Sequence, residues 1–518
     1  MNNIAEMLRI RAQTTPDKPA VRYLEQEVTW RQLYLQSCYL SRRLEQGGVG
    51  RGDVVGIYIG HSLGQVVALF AVSMRDAVFT LVNPLLAPEQ VKHQVQDASM
   101  MAVVGSVELL SPMADFFSNR TLYVETIQAI GTTVDDEDAA TDLDTSITNN
   151  IPADVSNYIY TSGSTGLPRG VVVPHRTLLD GARIVSQYLG ITAEDNLLGI
   201  LPLSFDYGLN QLMSCVYTGA RITLHQFIFP GDLLDILVDE EITGMAVVPS
   251  VWPKLLKSGQ KKDREFRSLR YVTTGGGFHP PELLQDAVKL FPHSEIIVMY
   301  GLTESFRSTY LPFSEITRRP GSIGKAVPEV EVLVLNKSGE PCKPGEKGEL
   351  IHRGAFVNYG YLNNPEESDK KFIHLRPGSG SCLSEVAVRS GDLVSADEEG
   401  YLYFHGRMDM LIKSSGYRIS PDEVARAVLS TPGLVQAAVF AMPDELLGEA
   451  IHVAYETSNH EVVDIADIKR HARNLLASYA VPHHFHFYKK LPLNANAKVD
   501  VNSLKREVLR RAQRVATE

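Results

Sequence analysis

Strand-like and helix-like segments alternate through the first part of this chain, and that alternation limits the folds open to it. Apolar residues recur at helical spacing from Val28 to Leu44 and from Leu63 to Met74, and the apolar run Val54–Ile59 between them is typical of a buried strand. Further strand patterns follow at Met101–Gly105 and Thr121–Val124. Such alternation predicts a doubly wound, largely parallel sheet.

A second alternating set follows a polar, acidic stretch, Thr132–Asn150, which predicts a surface connection. Arg176–Gly190 has a helical pattern, and strand and helix patterns then alternate again. The strand patterns are Asn196–Leu201, Ile222–His225, Gly244–Val248, Tyr271–Thr273 and Glu295–Met299, and the helical ones include Asp232–Asp239 and Pro281–Leu290. The sequence therefore predicts two similar α/β halves.

Short strands separated by Gly and Pro turns replace the helices from Val330 onward. They are predicted at Val330–Leu335, Gly348–His352, Asp392–Ala396 and Tyr401–Phe404. This pattern predicts a small β subdomain, with the tract Arg376–Ser381 as a mobile surface loop.

The pattern changes to a small α+β unit after Asp409. A helix is predicted at Ser420–Ser430, with Ser420 as its cap and Pro421 in its first turn, and a second helix at Ile465–Ala477. Strands are predicted between them at Val435–Ala441 and Ile451–Tyr455. About a hundred residues can fold alone, so we expect an N-terminal domain of residues 1–408 and a C-terminal domain of residues 409–518.

Charge and cysteine usage exclude several classes of partner and compartment. The chain has 61 acidic and 50 basic residues, a net charge of −11, which argues against a nucleic-acid partner and against an anionic membrane surface. The four cysteines lie far apart, without Cys-x-x-Cys spacing, so neither a zinc site nor a disulfide framework is indicated. No apolar run approaches membrane-spanning length. We therefore expect a soluble, cytoplasmic protein.

The segment Tyr158–Gly170 has the composition of a phosphate-binding loop. A short strand-forming run ends at Tyr160, and the next six positions are hydroxyl residues and glycines, which leave the backbone free to curl around an anion. A Walker loop is excluded because Leu167, and not lysine, follows the last of these glycines. The alternative is a Ser- and Gly-rich surface turn.

The string Tyr-Thr-Ser-Gly-Ser-Thr-Gly-Leu-Pro-Arg-Gly at 160–170 resembles the signature loop of the acyl-adenylate-forming superfamily, which includes acyl-CoA synthetases, peptide-synthetase adenylation domains and luciferases. The usual form ends in Pro-Lys-Gly, and Arg169 replaces that lysine with a cation of different geometry and hydration. The resemblance implies that ATP is bound by Thr161, Ser162, Gly163, Ser164, Thr165, Gly166 and Arg169.

Two further motifs resemble the family's adenine and metal sites. A glycine run follows a predicted strand where an open α/β sheet places its ligands, and in the family it holds adenine; its glycines are Gly275, Gly276 and Gly277. A simple packing turn is the alternative there. Tyr300-Gly-Leu-Thr-Glu304 matches the family's YGxTE motif, which implies that Tyr300 stacks on adenine, Thr303 contacts the α-phosphate and Glu304 binds Mg²⁺. The alternative for Glu304 is a cap on a following helix.

Three motifs of the β subdomain and its end resemble the family in the same order. The segment from Gly348 to Tyr361 resembles a structural β motif, and we assign it packing only. Ser390-Gly-Asp392 corresponds to the family's TGD, which implies that Asp392 accepts hydrogen bonds from the ribose hydroxyls, unless it lies in a simple turn. The string Gly406–Ile419 fits the family's GRxDxxIKxxGxRI. It implies a nucleotide contact at Arg407, a hinge at Asp409 and a thioester-step loop that contains Lys413 and Gly416.

The C-terminal string Leu491–Asp500 resembles the family's PLxxNGKxD, with Ala497 in place of the glycine. It implies that Lys498 is the catalytic lysine, although a lone lysine in a loop is normally a solvated charge. A carboxylate that attacks the α-phosphate of ATP brings two anions together, and Lys498, Thr303 and Mg²⁺ would neutralise the charge that develops. The resemblance also implies that the C-terminal domain rotates between the two half-reactions.

The acid pocket by resemblance begins at Leu203-Ser-Phe-Asp206-Tyr. In amino-acid-activating relatives an aspartate at the Asp206 position binds the substrate ammonium, but Asp206 also precedes an apolar-periodic run and fits a helix N-cap equally well. The other implied pocket residues are Tyr207, Asn210, Val247, Thr273, Met299 and Arg307. Because Asp206 and Arg307 suit a plain alkyl chain poorly, we expect a small or medium polar acid, an amino or hydroxy acid ahead of a fatty acid.

These features together predict an α/β enzyme with a large N-terminal domain of two doubly wound α/β subdomains and a small β subdomain, followed by a small mobile α+β domain. We expect it to convert a carboxylic acid and ATP to acyl-AMP and pyrophosphate, and then to transfer the acyl group to a thiol, either coenzyme A or the phosphopantetheine of a carrier protein. The alternatives are an amino-acid adenylation enzyme that loads a carrier protein, an enzyme that stops at the adenylate, and a nucleotide-binding regulator without catalysis.

Overall fold

The computed structural model describes residues 1–117, 121–124, 149–162, 168–226, 230–249, 251–259, 264–277, 279–375, 384–408, 410–414, 417–444, 447–458, 460–476, 480–494 and 498–515. Its strands are, in chain order, β1 (Pro19–Tyr23), β2 (Gln26–Thr29), β3 (Val54–Tyr58), β4 (Val78–Leu81), β5 (Ala102–Gly105), β6 (Thr121–Val124), β7 (Val155–Ser162), β8 (Pro168–Pro174), β9 (Asn196–Gly199), β10 (Arg221–Leu224), β11 (Gly244–Val247), β12 (Tyr271–Thr274), β13 (Glu295–Tyr300), β14 (Thr309–Leu311), β15 (Ser322–Ala326), β16 (Val330–Leu335), β17 (Lys347–Gly354), β18 (Phe372–Leu375), β19 (Glu385–Ala396), β20 (Leu402–Arg407), β21 (Ile412–Ser414), β22 (Tyr417–Ile419), β23 (Leu434–Asp444), β24 (Gly448–Thr457) and β25 (His484–Phe487).

The α-helices of the same residues lie mainly between parallel strands. In chain order they are α1 (Ile4–Thr14), α2 (Trp30–Gln46), α3 (Leu63–Ser73), α4 (Pro88–Asp97), α5 (Val107–Leu110), α6 (Ala114–Phe117), α7 (His175–Leu189), α8 (Asp206–Thr218), α9 (Pro230–Asp239), α10 (Trp252–Gly259), α11 (Pro281–Leu290), α12 (Phe313–Ile316), α13 (Pro365–Lys371), α14 (Pro421–Leu429), α15 (Ile465–Leu475) and α16 (Val501–Val515). A single 3₁₀ turn covers Ser111–Met113. Across the described ranges, no helix combines the length and the apolar character that crossing a membrane requires.

The first sheet has six strands in the order β6-β5-β3-β4-β7-β8, and all its pairs are parallel except β7 with β8. Helices cover both faces of such a sheet, which is why its strands are continuous apolar runs. Every residue of α3 is buried, so this helix lies in the core. The predicted first α/β half is therefore confirmed.

The second sheet joins the predicted second α/β half to the β subdomain. Strands β1, β10, β9, β11, β12 and β13 run parallel, and β14 and β15 then continue the path by antiparallel pairing into β20, β19, β17 and β16. The hairpin partner β2 forms the opposite edge. Both parts were predicted as separate patterns, and the structure shows one continuous sheet.

The C-terminal residues form a third sheet in the order β22-β21-β24-β23, with β25 parallel to β24. Helices α14 and α15 pack against it around Val424, Ile451 and Ile468, which are fully buried. The amide of Glu423 donates to the Ser420 hydroxyl at 3.3 Å, so the predicted cap with proline in the first turn is present. The predicted fold class, with a large N-terminal and a small C-terminal part, is confirmed. Most of the predicted connection at 132–150 and the predicted loop at 376–381 lie outside the described residues.

Candidate active site

The carboxyl ends of neighbouring parallel strands meet at one edge of the second sheet. Strand β12 ends at Thr274 and β13 ends at Tyr300, and helix α8 (Asp206–Thr218) begins shortly after β9. Open α/β sheets place their ligands at such an edge. The glycine after β12 has a packing reason, because a Cβ on Gly275 would lie 2.8 Å from the carbonyl oxygen of Met299. Residues predicted from separate motifs therefore come together here.

Asp392 anchors the predicted nucleotide half of the site. It is 2% exposed, lies within β19 and pairs in register with Arg407 on β20, whose Nη1 is 3.3 Å from its Oδ1. The hydroxyl of Tyr300 donates a hydrogen bond to the Asp392 carboxylate. Burial, and secondly the charge of Asp392, raise the pKa of Tyr300 well above its usual value, which keeps the phenol neutral. The alternative that Asp392 lies in a simple turn is wrong.

Glu304 is held from the segment to which the sequence assigned packing only. Its carboxylate accepts a hydrogen bond from the Tyr361 hydroxyl. The amide of Asn358 donates to the Glu304 carbonyl oxygen at 3.1 Å, and its side-chain amide donates to the Thr303 carbonyl oxygen at 2.8 Å. No helix follows Glu304, since the described chain turns directly into β14, so the capping alternative is wrong. One fixed carboxylate fits Mg²⁺, which takes one or two carboxylates together with phosphate oxygens and waters.

Arg169, the residue that departs from the family pattern, has a partner in the protein. Its Nη1 lies 2.8 Å from Oε2 of Glu367 on α13 (Pro365–Lys371), and its guanidinium carbon is 5.9 Å from the centre of the Tyr361 ring. Thr161 pairs with Arg169 across β7 and β8, which places both beside the predicted phosphate loop. The remaining loop residues Gly163–Gly166 and the side chain of Ser162 lie outside the described part.

Lys498 reaches the site from the C-terminal part of the chain. Its amide donates to Oδ1 of Asn494 at 3.1 Å, and the amide of Asn494 donates to the Lys498 carbonyl oxygen at 2.7 Å, which closes the ends of its loop. Burial lowers the pKa of the Lys498 ammonium. The charge of Arg407 also lowers this pKa, whereas the charges of Asp206 and Asp392 raise it. The residue is exposed. Its ammonium interacts electrostatically with Asp392 and Arg407 of the predicted nucleotide half and with Asp206 of the predicted acid half.

Asp206 is the first residue of α8, and Phe205 occupies the N-cap position, so the N-cap alternative for Asp206 is wrong. Asp206 lines a pocket with Asn210, Thr303 and Phe306. Burial raises the pKa of its carboxyl group, and the charges of Arg307 and Lys498 oppose that rise. The Asp206 carboxyl group therefore lines the pocket within electrostatic reach of two cations.

The other predicted acid-pocket residues form a linked group around Tyr207. The Tyr207 hydroxyl donates to Oγ1 of Thr273 at 2.7 Å, and the guanidinium carbon of Arg307 lies 4.6 Å from the centre of the Tyr207 ring. The Tyr188 hydroxyl donates a hydrogen bond to the sulfur of Met299 at 3.6 Å. Val247 is fully buried in the hydrophobic core next to this group.

Comparison with known proteins identifies the family. The model of the AMP-binding enzyme family matches residues 8–362, and the model of the AMP-binding enzyme C-terminal domain matches residues 423–498. The chain belongs to the AMP-binding enzyme family. The predicted resemblance to adenylate-forming enzymes is thereby confirmed.

Relatives of this AMP-binding enzyme include stand-alone ligases and parts of very long synthases. Tyrocidine synthase 3 of Brevibacillus parabrevis is 29% identical over 95% of this chain, which spans only 7% of that protein. 2-Succinylbenzoate–CoA ligase of Bacillus licheniformis is 28% identical over 95% of this chain and 97% of its own length. The solved o-succinylbenzoate CoA synthetase (MenE) of Bacillus subtilis, in complex with the acyl-adenylate intermediate OSB-AMP, is 26% identical with a TM-score of 0.82 over 98% of both chains.

Some functional positions of this AMP-binding enzyme were missed or lie outside the described residues. Tyr361 and Asn358 bond to Glu304 and Thr303 from the segment to which the sequence assigned packing only. Glu367 pairs with Arg169 and lies outside the motifs recognised in the sequence. Asp409 and Gly416 lie outside the described residues, and only the backbone of Lys413, within β21, is described.

Proposed function

We propose that this protein is an ATP-dependent ligase that activates a carboxylic acid as acyl-AMP, releases pyrophosphate and passes the acyl group to a thiol. The observation that carries the proposal is the position of Lys498, whose ammonium is an electrostatic neighbour of Asp392 and Arg407 on one side and of Asp206 on the other. A cation between the two predicted pockets is where an acid carboxylate would meet the α-phosphate of ATP. The relatives whose names describe acid–CoA ligation support the same reaction.

The residues of this chain would divide the adenylation step among them. Asp392 would accept hydrogen bonds from the ribose hydroxyls, and Tyr300 would lie against adenine. Lys498 would neutralise the charge that builds up as the acid oxygen approaches phosphorus, an electrostatic contribution that is usually among the largest in such reactions. Glu304 would hold Mg²⁺, which supplies further charge neutralisation at the phosphates.

The thiol step would use the C-terminal domain. We retain residues 409–518 as that domain, because β20 ends at Arg407 and a separate sheet begins at Ile412. A hinge at Asp409 and a thioester-step loop at Lys413–Gly416 remain proposals that rest on the family motif. Lys498 belongs to this domain, and its electrostatic interactions with Asp206 and Asp392 support an arrangement for adenylation, so the thiol step would require this domain to move.

The acceptor would be either coenzyme A, which the name of 2-succinylbenzoate–CoA ligase includes, or a carrier protein. Thioester formation with free CoA and with phosphopantetheinylated carrier proteins separates the two. Because the four cysteines show no disulfide framework, we propose a cytoplasmic location.

The substrate acid is proposed to be small or medium-sized and polar, with amino and hydroxy acids ahead of fatty acids. Asp206 in the pocket floor supports this, since an unpaired carboxylate beside an alkyl chain is costly. The test is pyrophosphate exchange with matched acids that carry or lack an α-amino group, in the wild type and in Asp206→Asn. Robust exchange with long-chain fatty acids that Asp206→Asn leaves unchanged would contradict the polar pocket.

The reaction itself is tested by ATP–pyrophosphate exchange across a panel of carboxylic acids. Acid-dependent exchange supports the ligase. Saturable ATP binding without exchange on any acid would instead favour a nucleotide-binding regulator, and accumulation of acyl-AMP in the presence of every thiol would favour an enzyme that stops at the adenylate.

A further inference from the structure

Arg307 lies beside the acid pocket, directly after Phe306, which lines that pocket. The turn that carries it folds back on Gly301, where a Cβ would lie 2.1 Å from the Phe306 carbonyl oxygen, and Phe306 adopts a left-handed conformation with φ of 49°. A non-glycine residue at positive φ is strained and is maintained only when its surroundings require it. The backbone is therefore bent at the residue directly before Arg307.

The guanidinium of Arg307 is enclosed by aromatic rings. The residue is 4% exposed, and its guanidinium carbon lies 4.6 Å from the centre of the Tyr207 ring and 5.0 Å from that of Phe306. Ring faces attract a cation but do not accept its N–H groups in the manner of a carboxylate. A planar guanidinium with five donors needs oxygen partners when it is removed from water.

Arg307 does not have such partners in the described part of the chain. Its Nε is buried without a hydrogen-bond acceptor, and no described carboxylate lies within ion-pair distance of it. Arg319 shows the contrast: it is 9% exposed and is paired with Glu315, Asp397 and Glu399. The chain thus pairs Arg319 with three carboxylates, whereas Arg307 has no oxygen partner among the described residues.

Asp206 is not an ion-pair partner of Arg307. Its charge interacts with Arg307 and with Lys498, but no ion pair joins it to Arg307 among the described residues. The reacting carboxylate of an acid belongs beside Lys498 and the nucleotide, which leaves Arg307 for the opposite end of the substrate.

We propose that Arg307 is a specificity-determining residue that binds a second carboxylate of the substrate, so that the acid activated here is a short dicarboxylic acid. The proposal rests on the ligase function proposed above. A guanidinium fork matches a carboxylate in a bidentate geometry, and such charge-assisted pairs are strongest where water is excluded. Asp206 remains available for an amino group if the acid carries one.

The test is pyrophosphate exchange with acids that are matched in length and differ in the second carboxylate. Butyrate is compared with succinate, pentanoate with glutarate, and 2-aminobutyrate with aspartate, in the wild type, Arg307→Met and Arg307→Lys. The exposed Arg318→Met is the control. We expect the wild type to favour the dicarboxylic member of a pair by at least about 100-fold in kcat/KM, since losing one partner of a buried charge pair has effects of that size or more.

Arg307→Met should lose that preference, chiefly through a lower kcat/KM on the dicarboxylic member, whereas Arg307→Lys should retain a smaller preference because a point charge lacks the fork. Equal wild-type rates on both members would overturn the inference and leave the ligase function intact. If no acid supports exchange, the ligase proposal fails, and calorimetric binding of succinate and glutarate decides the inference separately. Binding that Arg307→Met abolishes supports it, and absence of binding to the wild type overturns it. If Arg307→Met does not fold, the wild-type preference and Arg307→Lys decide.

Discussion

The two halves of the candidate site differ in how their charged side chains are paired. In the nucleotide half, Asp392 is bound by Tyr300 and Arg407, and Glu304 is bound by Tyr361. In the acid half, Arg307 is buried beside aromatic rings, and its Nε has no hydrogen-bond acceptor among the described residues. The nucleotide half always binds the same ligand, so the protein can pair its charged side chains before the ligand arrives. The acid half must select among acids, and it discriminates better when only the correct acid supplies the missing partner of a charged side chain.

Removing the cation between the two halves should have the largest effect. We expect Lys498→Ala to lower acid-dependent pyrophosphate exchange by at least about 100-fold, because a charge contact made in the transition state is lost. Thioester formation from a supplied acyl-adenylate should be largely unchanged. Exposed Lys489→Ala is the control, and equal losses in both half-reactions would contradict this division of labour.

A substitution in the nucleotide half should weaken the binding of ATP and leave the binding of the acid nearly unchanged. Asp392→Asn preserves size but removes the charge that Arg407 and Tyr300 share, so we expect KM for ATP to rise about 10- to 100-fold. The KM for the acid should change by less than about threefold. A parallel rise in both constants, measured by exchange kinetics, would show that the two halves are not separable.

The contrast between the two shielded arginines also predicts opposite effects on stability. Without substrate, Arg307→Met should leave the thermal unfolding midpoint unchanged or raise it, because it replaces a cation without an oxygen partner by an apolar side chain. Arg319→Met should lower the midpoint, since three carboxylates lose their shared partner. Thermal unfolding of both variants measures this, and a midpoint lowered equally in both would mean that Arg307 is satisfied within the protein.

The smallest expected effect concerns the pH dependence of stability. Burial raises the folded-state pKa of Asp206 above the unfolded value of about 3.9. The folded protein therefore holds its proton more tightly, and the penalty for the buried charge, present at neutral pH, is relieved as pH falls through the folded pKa. We expect the stability difference between Asp206→Asn and the wild type to shrink between pH 7 and pH 4. A difference that grows over this range in denaturant titrations would contradict the assignment.

Much of the site was predictable because its motifs are local strings whose strands end at one sheet edge. Tyr300, Thr303 and Glu304 follow one strand, and the glycines after β12 follow its neighbour. The residues that hold them were not predictable, because Glu304 meets Tyr361 and Arg169 meets Glu367 through contacts between distant parts of the chain. Such pairings leave no periodic signal in the sequence.

The fold showed the same division between long patterns and short ones. Helices with a clear period, such as α3 and α11, were predicted within one or two residues. The short strands β1 and β2, and the strands β14 and β15 that join the second sheet to the β subdomain, were missed. These four segments mix polar and apolar residues and lack the continuous apolar run that marks equally short strands such as β5 and β11, and their pairing depends on tertiary contacts.

The pairing of β1 with β10 has a consequence for how the chain is made. Val21 pairs with Ile222, and the whole first sheet lies between them in sequence. At typical rates of synthesis of about 5 to 20 residues per second, β1 leaves the ribosome on the order of 10 to 40 s before its partner exists. The six-stranded sheet can assemble during that interval, while the edge of Pro19–Tyr23 that will face β10 remains unpaired. Nascent chains halted before residue 221 should therefore bind chaperones through this N-terminal segment.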